Sequence, residues 1–330
     1  MKRLFLLVNA VILAVGYCGL PLTLRLYFGR GGEMVWFAGW LQSGGWPVIL
    51  LPLAVNYLAR RRERTPSGSV KVIRLRPKLF AAAMAIGMIT GADNFMYAYG
   101  ISKLPVSTVA LIDATQLAFT VVFSFFIVKQ KLTAFSVNAV VLLTVGAVVF
   151  AVHSTGDRPA GESHSEYWKG FAMMAGSAAT FGLCLSLVEF SYAKTGGPSM
   201  DYAAVLEFDL VTNISATLFS TVGMAAEHNF QAIRGEATGY RSGRIKYYAA
   251  VFSVALVCQC LRLGIAGVIH YSSSLYSGIL LSVLLPLVEV LAVVFFKDEY
   301  PPEKGIALFL SLWGFVSYFY GEYKVANNRN

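Results

Sequence analysis

The feature that most constrains the fold is a series of long apolar segments running through the whole chain. Charged residues and Pro/Gly breaks delimit ten segments, at about 4–24, 34–58, 79–101, 106–127, 136–153, 168–192, 201–227, 246–271, 272–296 and 304–323. Most are close to the ~20 residues that a helix needs to cross a bilayer. Because backbone polar groups in lipid must be paired within the segment, these segments predict helices. The sequence thus predicts an all-α integral membrane protein with ten transmembrane helices.

The composition excludes several classes of soluble protein. Hydrophobic residues make up 56% of the chain, charged residues make up 14%, and the mean hydropathy is +0.61. Soluble chains carry roughly a quarter charged residues. A soluble enzyme, a nucleic-acid binder and a secreted disulfide scaffold are therefore excluded. The net charge of +9 reflects membrane topology, so we expect a lipid bilayer and no nucleic acid as partner.

Positive charge predicts the orientation. The connection 59–78 is rich in Arg and Lys, with Arg60, Arg61, Arg62, Arg64, Lys71, Arg74, Arg76 and Lys78. Since cytosolic loops accumulate Lys and Arg, this connection is expected inside, and both termini are then cytosolic. If the connection is only a solvated linker, either orientation stays open. Two further long loops are expected at 154–167 and 228–245.

An internal repeat divides the chain. A shift of 168 residues aligns Val128–Lys131 with Phe296–Glu299, and in both places a charged hairpin joins two apolar spans. The halves, 1–155 and 156–330, then hold five spans each. Because five is odd, the two halves face opposite sides of the membrane. Inverted repeats of this kind build secondary transporters, with the substrate near the midplane.

Polar residues inside the spans predict where the substrate lies. A charged side chain at mid-span costs roughly 2.5–3.5 kcal/mol, so it needs a partner, a cavity or a function. Asp113, Gln116 and Thr120 are three and seven residues apart and share one helix face, and Asp93 and Tyr97 are four apart. These stripes predict a common interior cavity. The alternative is that they form hydrogen bonds and ion pairs between helices.

The residues predicted to bind substrate have polar or aromatic side chains: Gln42, Trp46, Asp93, Asn94, Tyr97, Asp113, Gln116 and Gln259. The amides would hydrogen-bond a neutral heterocycle, and the aromatic rings would stack on it. Asp93 and Asp113 favour a cationic amine instead, because a buried carboxylate forms a charge-assisted hydrogen bond with it.

Buried carboxylates also predict proton coupling, and the candidates are Asp93, Glu207 and Glu289. Arg262 is expected to form a structural ion pair with a carboxylate. The sequence contains no nucleotide-hydrolysing loop, HExxH motif or dinucleotide fingerprint. We therefore expect a secondary transporter rather than an enzyme, with no metal and no cofactor.

Proline and glycine predict how the helices are built. Pro47 and Pro286 lie within the second and ninth spans, where they permit the discontinuous helices that transporters use. Gly87 and Gly91 form a GxxxG pattern in the third span, which allows two helices to approach closely.

Several motifs carry a resemblance to a known family. In the first half these are Trp40-Leu41-Gln42 with Gly45-Trp46-Pro47, Tyr97-Ala98-Tyr99-Gly100, Leu104-Pro105-Val106-Ser107-Thr108 and Gln116-Leu117-Ala118-Phe119. In the second half they are Leu206-Glu207-Phe208, Leu285-Pro286 through Glu289-Val290-Leu291-Ala292, and Leu312-Trp313-Gly314-Phe315. With these motifs the chain resembles the plant purine permease family, within the drug/metabolite transporter superfamily, from about Leu4 to Tyr323.

The resemblance implies ten helices in two inverted halves and proton-coupled uptake of purines, cytokinins or related heterocycles, in some branches plant alkaloids. It places Gln42, Asn94, Gln116, Glu207 and Glu289 in runs shared with the family.

Two residues depart from the family pattern. Asp113 stands where the family often has an uncharged residue, and Arg262 stands where an apolar residue is expected. We therefore expect a plasma-membrane importer whose substrate is a benzylisoquinoline-type alkaloid with a protonatable amine. The alternative is a purine base or cytokinin permease. A nucleotide-sugar-type exchanger and a non-transporting membrane scaffold are further alternatives.

Overall fold

A computed structural model of the chain describes residues 2–63, 75–104, 106–129, 164–196 and 200–296, with scattered residues between 134 and 145 and between 306 and 320. Every regular element in the continuous ranges is helical. The helices are α1 (Lys2–Gly29), α2 (Val35–Gly44), α3 (Pro47–Glu63), α4 (Pro77–Lys103), α5 (Val106–Phe123), α6 (His164–Ser191), α7 (Tyr202–Ala226), α8 (Asn229–Gly239), α9 (Arg244–Tyr271) and α10 (Ser274–Phe296). Short π-helical segments, Ser124–Val128 and Tyr192–Gly196, extend α5 and α6.

Five of these helices are long and apolar enough to cross a membrane: α1, α4, α6 with its π-helical extension, α7 and α9. Two shorter apolar helices, Thr115–Val128 and Ser274–Val288, lie in the predicted fourth and ninth spans. The predicted spans 136–153 and 304–323 fall largely outside the described residues. The all-helical prediction is thus confirmed for the described part, while the count of ten and the inverted repeat stay predictions.

The outer surface is apolar. Leu4, Leu7, Val11 and Val15 form an outward stripe on α1, and each is more than half exposed. Val222 on α7 is 71% exposed. A soluble protein would bury these side chains, but a bilayer solvates them. This surface is the one expected where helices face lipid.

Glycines bring α1 and α9 into close contact. An added Cβ at Gly16 would overlap the backbone of Leu261, and one at Gly264 would overlap Leu13. Small residues allow such backbone approach where no hydrophobic force holds helices together. Because residue numbers rise along α1 as they fall along α9, the two helices run antiparallel.

The Gly87/Gly91 pattern packs as predicted. An added Cβ at Gly87 would lie 2.5 Å from the Thr212 carbonyl oxygen, and one at Gly91 would lie 2.8 Å from the Phe219 Cβ. Both glycines belong to α4 and both neighbours to α7. Residue numbers rise together along the two helices, so α4 and α7 run parallel.

The predicted second span is a discontinuous helix, as Pro47 suggested. α2 ends at Gly44 and α3 begins at Pro47. At the break, the Trp46 N–H donates to the Ser43 carbonyl over 3.3 Å, which leaves the Gln42 carbonyl without its helical donor. In α10, by contrast, the helix continues through Pro286.

The expected loop at 228–245 contains a helix, α8, which is a correction to the sequence prediction. The Glu236 carboxylate on α8 accepts hydrogen bonds from the Tyr27 hydroxyl over 2.8 Å, the Tyr247 hydroxyl over 2.7 Å and the Glu33 N–H over 2.6 Å. Charge-assisted hydrogen bonds of this kind are strong. They tie α8 to the end of α1, the start of α2 and the start of α9, contacts that the polar sequence of this segment does not disclose.

Candidate functional site

A cavity of about 50 Å³ lies between α1, α2, α4, α5, α6 and α9. A water molecule needs roughly 10–15 Å³ by the same measure, so several waters fit. Its lining is polar on some sides and apolar on others, with Tyr17, Leu20, Gln42, Asp93, Asn94, Tyr97, Asp113, Gln116, Ser177, Ala178, Phe181, Cys258, Leu261, Arg262 and Ile265. The polar stripes predicted on separate spans therefore do face one interior cavity.

Two adjacent residues of α4 line the cavity. Asp93 and Asn94 are both buried, at 5% and 2% exposure. The Ser177 hydroxyl on α6 donates to Asp93 Oδ1 over 2.6 Å. The Gln42 Nε2 on α2 donates to the Asn94 backbone carbonyl over 3.0 Å. These bonds fix α4 against α2 and α6 at the depth of the cavity.

Arg262 binds neutral oxygens on the cavity wall. Its Nη2 donates to Asn94 Oδ1 over 2.6 Å, and its Nε donates to the Gln42 carbonyl over 3.3 Å. The break after α2 makes that carbonyl available. Among the described residues, Arg262 has no carboxylate within 4.0 Å, so the expected structural ion pair is not formed there. Asp93 and Arg262 nonetheless line the same cavity.

Several polar side chains line the cavity and can bind a ligand there. Asn94 Nδ2 is buried and has no hydrogen-bond partner among the described residues. The Gln116 side chain, 7% exposed, lines the same cavity. The Asp113 side chain lines the cavity together with Tyr97 and Tyr17. Donors and acceptors are thus available to a ligand on three sides.

Some predicted site residues lie elsewhere. Trp46, at the helix break, and Gln259 are not among the residues that line this cavity. Gln259 is 1% exposed and packs at the end of α2, where an added Cβ at Gly45 would lie 3.3 Å from its Cβ. Thr120 shares a helix face with Gln116 but packs against Gly182 on α6 and Gly278 on α10.

The other two proton-coupling candidates are Glu207 and Glu289, and Glu207 does not line this cavity. Glu207, near the start of α7, accepts a hydrogen bond from the Leu75 N–H over 3.2 Å. The side chain of Glu289 is outside the described residues. Of the two candidates whose side chains the structure describes, Asp93 lines the cavity and Glu207 does not.

Sequence reasoning missed Tyr17, Ser177 and Phe181. Ser177 lies in a run of small residues, which is typical of helix packing as well as of ligand contact. Phe181 resembles any apolar residue of a membrane span. The position of Tyr17, eight residues after the buried Asn9 on α1, is a weak signal of a polar stripe.

The arrangement suits recognition rather than covalent chemistry. The cavity offers amides, carboxylates, tyrosine hydroxyls and one guanidinium beside the aromatic ring of Phe181. Small-molecule sites combine apolar walls with a few convergent polar groups in this way. The described residues contain no group of three His, Cys, Asp or Glu side chains that could hold a metal ion.

Known proteins are similar to this chain along nearly its whole length. A family model described as purine nucleobase transmembrane transport matches residues 4–328. Purine permease 3 of Arabidopsis thaliana is 45% identical over 329 residues, covering 100% of this chain and 93% of that protein. Purine permease 2 of the same plant is 44% identical over 335 residues, covering 98% of this chain and 93% of that protein.

A solved crystal structure is similar in fold. It has a TM-score of 0.59 and 17% sequence identity, covering 93% of this chain and 96% of the other. At that identity the likeness concerns the fold alone. The family match and the apolar helices together establish an integral membrane protein of a transporter family. The chain belongs to the plant purine permease family.

Proposed function

We propose that the chain is a secondary transporter that imports purine nucleobases through the cavity between α1, α2, α4, α5, α6 and α9. The observation that carries this proposal is the pair of amide side chains, Asn94 and Gln116, that line this cavity, with Asn94 Nδ2 lacking a hydrogen-bond partner among the described residues. Purine bases present ring-nitrogen acceptors and N–H donors around their edge, and amides match both.

The Arg262 guanidinium opposes a cationic ligand on its side of the cavity. Arg262 carries a positive charge and borders the cavity together with Asp93 and Asp113. A cationic ligand would meet this guanidinium at close range, which opposes binding. A neutral base avoids that repulsion and can stack against Phe181 or Tyr97. The names of the relatives point to purines as well.

A cationic alkaloid is the second candidate, and Asp113 is the observation in its favour. Its side chain lines the cavity together with Tyr17 and Tyr97, and Asp93 adds a second acidic group. A protonated amine placed between them gains a charge-assisted hydrogen bond. The benzylisoquinoline-type substrate that the sequence favoured therefore stays as the alternative to a purine or cytokinin.

Transport is coupled to protons in this proposal. The chain has buried carboxylates and no nucleotide-hydrolysing motif, which suits a carrier driven by an ion gradient. Asp93 is the first candidate because it lines the cavity, followed by Glu207 and Glu289.

The proposed architecture is ten helices in two inverted repeats, 1–155 and 156–330. The directions of five helices support it, because α1 opposes α9, α4 opposes α6, and α4 runs with α7. In a chain of ten consecutive spans, the first and eighth spans run in opposite directions, and so do the third and sixth. The third and seventh spans run in the same direction. In this proposal the carrier lies in the plasma membrane, and both termini lie in the cytosol.

Uptake of radiolabelled adenine tests the function directly. Cells without a purine carrier of their own are given the chain, and unlabelled adenine, a cytokinin and a tertiary-amine alkaloid compete with the label. Adenine should compete best. Accumulation of labelled alkaloid without labelled adenine would support the second candidate, and accumulation of neither would contradict a carrier of nitrogen heterocycles.

A further inference from the structure

A second cavity, of about 60 Å³, adjoins the first. The two cavities share four wall residues, Asp93, Phe181, Arg262 and Ile265. They are therefore neighbours across a thin wall, with one acidic and one basic side chain bordering both. Neither the predicted site residues nor the family match assigns a role to this second space.

The two cavities are displaced along the helix axes. On α4 the first cavity extends to Tyr97, whereas the second extends back to Ile86. On α6, which runs the opposite way, the first begins at Ser177 and the second reaches Val188. Each pair is eleven residues apart, or roughly 16 Å along a helix. Since these helices span the membrane, the cavities follow one another across it.

Two side chains with buried polar atoms, Asp209 and Tyr192, line the second cavity. Asp209 is 7% exposed and Tyr192 is 9% exposed. The Asp209 Oδ2 and the Tyr192 hydroxyl both lack a hydrogen-bond partner among the described residues. An unpaired buried polar group costs about 1–3 kcal/mol, so such groups signal a missing ligand or water. Both side chains line this cavity.

We propose that this second cavity, with Asp209 and Tyr192 as its hydrogen-bonding groups, is a second binding position for the transported base on its way across the membrane. The inference rests on the proposed function. The ligand class follows from the two groups, because a carboxylate accepts N–H donors and a phenol can donate to a ring nitrogen. Phe181 and Phe208 supply aromatic walls for a flat ring.

The test compares substrates that differ by one hydrogen-bonding group. Adenine and unsubstituted purine differ in the amino donor that Asp209 would accept. Adenine and 7-deazaadenine differ in the ring acceptor to which Tyr192 would donate. In competition uptake, Asp209→Asn should lower the preference for adenine over purine at least fivefold. Tyr192→Phe should lower the preference for adenine over 7-deazaadenine at least threefold.

Matched substitutions outside both cavities serve as controls. Asp201→Asn changes the N-cap of α7, where asparagine caps as well as aspartate does. Tyr248→Phe removes a hydroxyl from a residue on α9 that is 53% exposed. Both should keep the wild-type preferences. Preference ratios cancel differences in expression, so a purely structural effect of Asp209→Asn would leave its ratio unchanged.

The outcomes separate this inference from the proposed function. Adenine uptake with wild-type preferences in both cavity variants would overturn the second binding position alone, leaving the carrier. No adenine uptake by the wild-type chain would overturn the carrier and this position together. If Asp209→Asn fails to fold, Tyr192→Phe decides, because removing an unpartnered buried hydroxyl should cost little stability.

Discussion

Arg262 Nη2 donates a hydrogen bond of 2.6 Å to Asn94 Oδ1. The bond joins α9 to α4 and fixes the Asn94 amide so that its oxygen faces Arg262 and its Nδ2 stays unpartnered at the cavity. The Arg262 cation thus orients a neutral donor. The helix break at Gly45 and Trp46 completes the arrangement, because the Gln42 carbonyl accepts from Arg262 Nε.

Asn94→Asp should raise the KM for adenine at least about fivefold while the protein stays folded. The carboxylate keeps the contact with Arg262 and strengthens it, but it removes the only donor that Asn94 offers the substrate. Leaving a ligand acceptor unpaired costs about 1–3 kcal/mol. Saturation kinetics of labelled adenine uptake give the KM, and size-exclusion chromatography of detergent-purified protein checks folding.

Asn229→Asp is the matched control, since Asn229 lies at the start of α8 outside both cavities. It should leave the KM unchanged within about twofold. A folded Asn94→Asp variant with a wild-type KM would remove this amide from the substrate site.

Asp113→Asn should separate the two candidate substrate classes. Asparagine keeps the size and the hydrogen bonding but removes the charge that attracts an amine. Inhibition by a tertiary-amine alkaloid should weaken by about tenfold or more, on the order of 1.4 kcal/mol, while adenine uptake is kept. The measurement is the inhibition constant of each compound against labelled adenine.

The competing explanation is that Asp113 only neutralises Arg262. All substrates would then lose uptake together, and Asp113→Leu combined with Arg262→Leu would restore expression and transport. A double variant that stays inactive, with selective loss of alkaloid inhibition in Asp113→Asn, supports the substrate role.

The polar part of the site could be predicted from the sequence because polar groups are costly inside apolar helices. Five of the polar residues that the sequence indicated line the cavity: Gln42, Asp93, Asn94, Asp113 and Gln116. Each is a polar side chain within a long apolar segment, and shared helix faces show which of them point together.

Apolar and small site residues could not be predicted in this way. Phe181 and Ser177 look like ordinary packing residues of a span, and only the tertiary arrangement places them at the cavity. The sequence also placed Gln259 in the site, whereas its helix face packs against the end of α2. Which face of a helix meets which neighbour depends on close contacts such as the Gly45 approach, and periodicity alone does not contain them.

Gly16→Ala should destabilise the protein more than Gly29→Ala, although both change α1. An added Cβ at Gly16 would overlap the backbone of Leu261, whereas Gly29 has no other atom within 4 Å of the added Cβ. Overpacking typically costs 1–3 kcal/mol, and backbone atoms cannot move aside as side chains do. Thermal melting of purified protein should show a lower midpoint for Gly16→Ala. Equal midpoints in the two variants would contradict the close packing of α1 on α9.

Wild-type uptake should rise as the external pH falls from about 7.5 to 5.5, because a buried carboxylate can bind and release a proton. A protonophore should abolish this uptake.

Glu207→Gln should remove this pH dependence more than it weakens binding. Glutamine cannot titrate, but its Oε1 can still accept the hydrogen bond from the Leu75 N–H, so the local contact is retained. Uptake measured across this pH range, with the KM at each pH, separates coupling from binding. If a well-folded Glu207→Gln variant keeps the wild-type pH dependence, Glu207 is not on the proton path. Asp93→Asn is then the next variant to measure, because Asp93 lines the cavity.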